Sequence, residues 1–229
     1  MDLELADRVA LVVGGAGYIG SAVSARLRAE GATVVVASRS ASGDGSTEIA
    51  LDARDAASTR AAIAGVLAAH GRLDALVVTA APSARTLDPA RNGDPEQVLE
   101  AVDGKALSFL RVANEVLPAM RRASYGRIVV ISGQNALLTG SIAGSVRNAA
   151  TVVVAKNLAD ELAGSGITVN TVNPGHVVDV PSTEVPTGTG GESTPEQIAD
   201  LVAFLTSPRS VVSGESIAIG HRVRGVTAF

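Results

Sequence analysis

Short apolar runs rich in β-branched residues alternate along the whole chain with longer, alanine-rich stretches. The runs predict seven strands at residues 8–13, 33–37, 47–51, 75–79, 127–131, 168–172 and 216–219. The longer stretches predict five helices at residues 18–30, 56–70, 95–122, 144–163 and 195–206. Because strands and helices alternate, we expect a parallel sheet covered by helices on both faces. The chain is therefore predicted to be an α/β protein with a doubly wound parallel sheet.

Length and composition indicate one domain that spans residues 1–229. The absence of cysteine excludes disulfides, thiolate metal sites and cysteine nucleophiles. A net charge of −4 without a basic run argues against nucleic-acid binding. The apolar runs are too short to cross a bilayer. The acidic residues Asp2, Glu4 and Asp7 near the start do not fit a signal peptide, so we expect a cytoplasmic protein.

Two further features of the sequence bear on function: an irregular segment and the spacing of the histidines. Residues 180–193 are rich in Pro, Gly, Thr and Ser, which favours either a flexible substrate lid or a plain connector. The three histidines, His70, His176 and His221, lack metal-ligand spacing, so we expect no metal site.

A glycine-rich turn follows the first predicted strand and precedes the first predicted helix. It reads Gly-Gly-Ala-Gly-Tyr-Ile-Gly over residues 14–20. Glycines at such a turn let backbone N–H groups approach a pyrophosphate at the start of a helix. This context predicts a dinucleotide site, although a glycine-rich turn without a ligand is the alternative.

The end of the second predicted strand carries the signal for cofactor type. Ser38 and Arg39 stand about 20 residues past the glycines, where an acidic residue would bind the ribose 2′-hydroxyl of NAD. A hydroxyl and a guanidinium instead suit a 2′-phosphate, which predicts NADP(H) in preference to NAD(H). A solvated surface arginine is the alternative. Asp52 after the third strand fits either an adenine contact or a helix cap.

Together these segments resemble the short-chain dehydrogenase/reductase family over nearly the whole chain. Matching segments are residues 8–20, 73–81, 126–132, 173–177, 198–199 and 213–217. The resemblance implies a single Rossmann-type domain, a nicotinamide cofactor, a small carbonyl substrate and a homodimer or homotetramer. Together with the residue signals, it implies cofactor contacts at Gly14, Gly17, Tyr18, Ile19, Gly20, Ser38, Arg39, Asp52, Ala53, Thr79, Ala80, Ala81, Lys105, Pro174, Gly175 and Val177.

The catalytic positions that the resemblance implies carry unusual residues. The family uses a Tyr-x-x-x-Lys pair on one helix, together with a serine and an asparagine. In this chain the tyrosine position falls on Gly144, the lysine position on Asn148, the serine position on Gly133 and the asparagine position on Lys105. We therefore expect a divergent member that lacks the usual Asn-Ser-Tyr-Lys set.

Asparagine and lysine are exchanged between two of these positions, which suggests that one ammonium and one amide are retained from opposite helices. Our hypothesis is that Lys105 reaches the nicotinamide ribose or the substrate oxygen, with a snorkelling surface lysine as the alternative. Ser132, Asn148 and His176 complete the candidate catalytic set, the histidine because its ordinary pKa is near 6.5.

Three functions remain open from the sequence. The first is an NADP(H)-dependent carbonyl reductase with a non-standard route for the proton. The second is a pseudoenzyme that binds cofactor or partner without turnover. The third is a redox-neutral cyclase, isomerase or lyase on the same scaffold.

Overall fold

A seven-stranded parallel sheet forms the centre of the protein, in the strand order β3-β2-β1-β4-β5-β6-β7. The computed structural model describes residues 2–82 and 86–227. The strands are β1 (Val9–Val13), β2 (Thr33–Ser38), β3 (Glu48–Ala50), β4 (Ala75–Val78), β5 (Gly126–Ile131), β6 (Ile167–Pro174) and β7 (Ser216–Ile219). The strand order reverses between β1 and β4, and ligands bind at such a switch point, outside the carboxyl ends of the strands.

Helices cover both faces of this sheet, as the alternating pattern predicts. They are α1 (Tyr18–Ala29), α2 (Ala56–His70), α3 (Pro95–Val102), α4 (Ser108–Ala123), α5 (Ile142–Glu161) and α6 (Pro195–Thr206). Successive strand side chains point to opposite faces, so Leu11 packs in the core beneath α2, α4 and α5, whereas Val12 packs beneath α1 and α6. The predicted α/β fold with a single doubly wound parallel sheet is confirmed.

The helix ends follow the capping residues seen in the sequence. Asp55 caps α2 by accepting hydrogen bonds from the backbone of Ala57 and Ser58, and Gly71 ends that helix in the left-handed region at φ +71°. Thr194 forms a capping box with Gln197 at the start of α6. These local signals explain why the predicted bounds of both helices agree with the structure.

The predicted continuous helix over residues 95–122 is wrong in one respect. A π-helical segment, Asp103–Leu107, separates α3 from α4. The Asp103 carboxylate accepts hydrogen bonds from Arg54 and Arg111, at 2.9 and 2.6 Å, which anchors the start of this wider turn. Single π-turns of this kind occur frequently at functional sites. Apolar spacing continues through the segment, so the sequence pattern does not reveal it.

The helix predicted at residues 144–163 is α5, which begins two residues earlier, at Ile142. The Ser141 hydroxyl caps it by accepting a hydrogen bond from the Gly144 N–H. Within residues 2–82 and 86–227, no helix combines the length and the apolar character needed to cross a membrane.

Candidate active site

The glycine turn packs tightly between β1, α1 and the end of β4. Gly14 has φ +83°, and a Cβ added there would lie 2.7 Å from the Ala80 nitrogen. A Cβ on Gly20 would lie 2.1 Å from the Gly14 oxygen. Thr79 Oγ1 donates to the Val13 and Gly14 carbonyls, each at 3.1 Å. Glycine is therefore required at both positions by close backbone approach.

The start of α1 is left open by this packing. Gly17 is the N-cap residue, and no side chain caps the helix there. The first N–H groups of a helix have no partner within the helix, and they carry its positive dipole end. Gly17 and Tyr18 are exposed beside them. This turn can therefore hold a pyrophosphate, in agreement with the sequence motif.

The carboxyl ends of β2 and β3 flank the glycine turn. Ser38 ends β2, and Arg39 follows it as an exposed side chain that forms no ion pair within the described part of the chain. Asp52 Oδ1 accepts a hydrogen bond from the Arg54 N–H at 3.0 Å. The alternative of Asp52 as a helix cap is wrong, because Asp55 caps α2.

Lys105 is buried at the carboxyl edge of the sheet, with 7% of its surface exposed. Its Nζ donates to Asn148 Oδ1 at 2.7 Å and to the Ser132 carbonyl at 3.0 Å. The alternative of a snorkelling surface lysine is therefore wrong. Burial, assisted by the nearby positive charge of Arg147, lowers the pKa of Lys105 to about 7.

Ser132 and Asn148 complete this buried cluster. The Ser132 hydroxyl donates to the backbone carbonyl of Asn148 at 3.0 Å. A Cβ on Gly133 would lie 3.3 Å from Asn148 Nδ2, so a larger residue there would press on the amide. The structure thus brings Lys105, Ser132 and Asn148 together in one buried cluster.

His176 is exposed, unlike the buried residues of this cluster. It follows Pro174 and Gly175 at the end of β6, but its side chain is exposed. Its backbone carbonyl accepts a hydrogen bond from the Ser193 N–H at 3.0 Å, in a short bridge that pairs Val177 with Ser193. No hydrogen bond of the imidazole is present within residues 2–82 and 86–227.

Residues 180–193 pack at the carboxyl edge of the sheet, where they contact residues that follow β5 and β7. The Gly191 N–H donates to the His221 carbonyl at 2.8 Å, and Gln134 Nε2 donates to the same carbonyl at 2.9 Å. A Cβ on Gly190 would lie 2.6 Å from Gln134 Oε1. The segment therefore packs directly over the residues that follow β5.

Two residues at this edge were not predicted from the sequence. Asp179 accepts a hydrogen bond from the Tyr18 hydroxyl, which joins the start of α1 to the segment after β6 and raises the pKa of Tyr18. Arg147 lies buried beside Asn148, and Nη1 donates to the Pro82 carbonyl at 3.0 Å. Arg147 had a signal in the sequence: it is the only charged residue between positions 142 and 155.

The sequence and the fold are similar to those of known proteins. The chain is 28% identical over 249 residues to the 3-oxoacyl-acyl-carrier-protein reductase of Vibrio cholerae, covering 95% of this chain and 97% of that protein. It is 31% identical over 236 residues to the acetoacetyl-CoA reductase of Shinella zoogloeoides, covering 93% and 96%. The crystal structure of gox2181 superposes with a TM-score of 0.80 at 25% identity, covering 95% and 96%.

A model of a protein family matches most of the chain. The model described as short chain dehydrogenase matches residues 8–185, from the first strand through the glycine turn and the buried lysine to the segment after β6. On this match and on the fold, the chain belongs to the short-chain dehydrogenase family.

Proposed function

We propose that the protein is an NADP(H)-dependent carbonyl reductase in which Lys105 serves as the cation and proton source. The observation that carries this proposal is the buried Lys105 Nζ, held 2.7 Å from Asn148 Oδ1 at the carboxyl edge of the sheet. Similarity to reductases such as the acetoacetyl-CoA reductase supports an oxidoreductase with a carbonyl substrate.

The residues of the glycine turn fit a dinucleotide. Close backbone packing at Gly14 and Gly20 shapes the turn, and the uncapped start of α1 suits phosphate oxygens. Arg39, exposed at the end of β2 and without an ion pair in the described chain, suits the 2′-phosphate of NADPH. When bound, the cofactor supplies hydride to the substrate carbonyl.

The proposed site departs from the usual pattern of the family. Glycine stands at the positions of the serine and the tyrosine, Gly133 and Gly144, and asparagine and lysine have exchanged places. The Lys105 ammonium takes over the charge that the lysine on the other helix would supply. Asn148 Oδ1 and the Ser132 carbonyl hold the amine in place, because both accept hydrogen bonds from it.

Lys105 is suited to give a proton to the reduced substrate oxygen. A buried ammonium stabilises negative charge that develops on that oxygen more strongly than it would in water. Its pKa of about 7 lets the amine donate a proton and be protonated again near neutral pH. His176 is the second candidate acid, and its exposed side chain fits exchange with solvent better than contact with the substrate.

Two features around the site extend this proposal. Residues 180–193 act as the substrate lid, since they lie against Gln134 directly after β5. The protein is a homo-oligomer that pairs through α5, where Ile142, Val146 and Val153 are exposed apolar side chains on one helix.

The first test is calorimetric titration with NADPH and NADH, followed by a screen of small carbonyl compounds for NADPH oxidation. We expect NADPH to bind more tightly, and Arg39→Ala to lose about 10–100-fold in NADPH affinity, as charge-assisted hydrogen bonds predict. Arg122→Ala is the matched control, because Arg122 is exposed at the far end of α4.

Each other outcome selects another function. Binding of neither nucleotide contradicts the reductase. Tight binding without oxidation by any carbonyl compound favours the pseudoenzyme. Product formation without a change in cofactor redox state favours the redox-neutral enzyme.

A further inference from the structure

Arg147 is a buried guanidinium whose hydrogen bonding is incomplete. Only 5% of its surface is exposed, and its Nη1 donates to the Pro82 carbonyl at 3.0 Å. Its Nε is fully enclosed and has no hydrogen-bond partner among the described residues. Burial lowers the pKa of Arg147. A buried charged donor without an acceptor costs free energy, so its presence requires an explanation.

In the described part of the chain, no acidic side chain pairs with it. Among the residues that the structure describes, Arg147 forms no ion pair, and neither Lys105 nor Arg147 has an acidic hydrogen-bond partner. Asp103, two residues before Lys105 in the sequence, forms ion pairs with Arg54 and Arg111 instead. None of the undescribed residues, at positions 1, 83–85 and 228–229, has a carboxylate side chain. Lys105 and Arg147 are thus both buried, and they lie near enough for the charge of Arg147 to lower the pKa of Lys105.

Arg147 and Lys105 lie close to the surface beneath the loop that follows β4. Arg147 sits beneath Pro82, which is exposed, as is Ala81 before it. Pro82 also packs at Gly104, next to Lys105, since a Cβ on Gly104 would lie 2.8 Å from Pro82 Cγ. The guanidinium therefore borders the same loop after β4 that borders the buried amine.

We infer that Arg147 and Lys105 form an anion subsite, and that the substrate is a small oxo acid whose carboxylate binds the Arg147 guanidinium. A guanidinium has donors in a planar fork that matches the two oxygens of a carboxylate, and Nη1 alone is occupied by protein. A carboxylate there would offset the positive charge of Arg147 and favour the protonated form of Lys105. Within the proposed reductase, Lys105 is then left to contact the carbonyl oxygen. The assignment of substrate class rests on that proposed function.

The test separates anion binding from turnover. A series of straight-chain alkanoates from acetate to hexanoate, and their amides, is titrated by calorimetry into the NADPH-loaded protein and into the protein alone. These probes contain no reducible ketone. We expect at least one carboxylate to bind 10-fold or more tightly than its amide. In Arg147→Met this preference should fall to within twofold, whereas Arg147→Lys should keep part of it and Arg122→Met all of it.

A second readout needs no variant and covers the case in which Arg147→Met fails to fold. The Nε–H resonance of Arg147 in the wild type should shift on addition of the preferred carboxylate and not on addition of its amide. The inference is overturned if no carboxylate in the series binds more tightly than its amide. It is also overturned if the Nε–H signal of Arg147 stays unchanged on addition of every carboxylate, as it would if a water molecule already accepted the Nε–H hydrogen bond. Carboxylate binding without NADPH oxidation by any oxo acid would instead contradict the proposed reductase and leave the subsite in place.

Discussion

The two halves of the candidate site are built in different ways. The half around β1, α1 and β2 is formed by backbone: glycines at close approach, an open helix start, and an exposed Arg39 at its rim. The half around the π-turn, β5 and α5 is formed by side chains, with Lys105 hydrogen-bonded to Asn148 across 43 residues of sequence. The first half depends on small residues, because a Cβ at Gly14 or Gly20 would overlap neighbouring backbone atoms. The second half depends on which side chains meet at the sheet edge, because its contacts join residues far apart in the sequence.

The largest expected effect is a loss of turnover when the half of the site that is formed by side chains is changed. Lys105→Met should reduce NADPH-dependent turnover by about 10²–10⁴-fold, the usual contribution of a positioned proton donor. NADPH affinity, measured by calorimetry, should change far less. Lys156→Met is the matched control, because Lys156 is the only other lysine and is exposed on α5. Equal loss of turnover in both variants would contradict the proposed role of Lys105.

An exchange experiment sharpens the same comparison. Lys105→Asn leaves two amides in the cluster, and Asn148→Lys leaves two amines, so both single variants should be nearly inactive. The double variant K105N/N148K restores one of each. We expect its turnover to exceed that of either single variant by about 10-fold or more, since groups acting as a unit are non-additive. Turnover that is no higher than in the single variants would show that the two positions are not interchangeable.

The backbone half should respond to a single methyl group. Gly20→Ala places a Cβ that would lie 2.1 Å from the Gly14 oxygen, so we expect a loss of about 1–3 kcal/mol in unfolding free energy from overpacking. NADPH affinity should fall with it, because the glycine turn must shift. Chemical denaturation and calorimetry measure the two effects. Gly93→Ala is the control, since a Cβ there meets nothing within 4 Å, and an equal loss there would remove the steric explanation.

These halves also differ in how far the sequence predicts them. The glycine turn, the Asp55 cap and the Thr194 cap depend on residues near one another in the chain, so local patterns predict them. The Lys105–Asn148 pair was predicted only from two exchanged positions in a family resemblance. The π-turn, the Tyr18–Asp179 contact and Arg147 were not predicted, because each depends on which distant elements meet at the sheet edge.

The last prediction concerns the pH dependence of stability. The pKa of Lys105 is about 7 in the folded protein and is ordinarily 10.5, so the unfolded chain holds more protons between these values. We therefore compare the unfolding free energy of the wild type with that of Lys105→Met. The difference in favour of the wild type should rise between pH 7 and pH 10.5, by up to about 1.4 kcal/mol per pH unit. Denaturation curves at pH 7, 8 and 9 measure the difference. A difference that is constant with pH would contradict the lowered pKa.

The central claim is that a buried Lys105 amine controls the reaction, and the titration of the two lysines tests it most directly. With ¹³C label at lysine Cε, the spectrum holds two signals, and loss of one in Lys105→Met assigns them. We predict that the Lys105 signal titrates near pH 7 and that kcat/KM for the carbonyl substrate falls with a matching midpoint as pH rises. Titration of both lysines near pH 10.5, or a kcat/KM that is unchanged from pH 6 to 9, would contradict the claim.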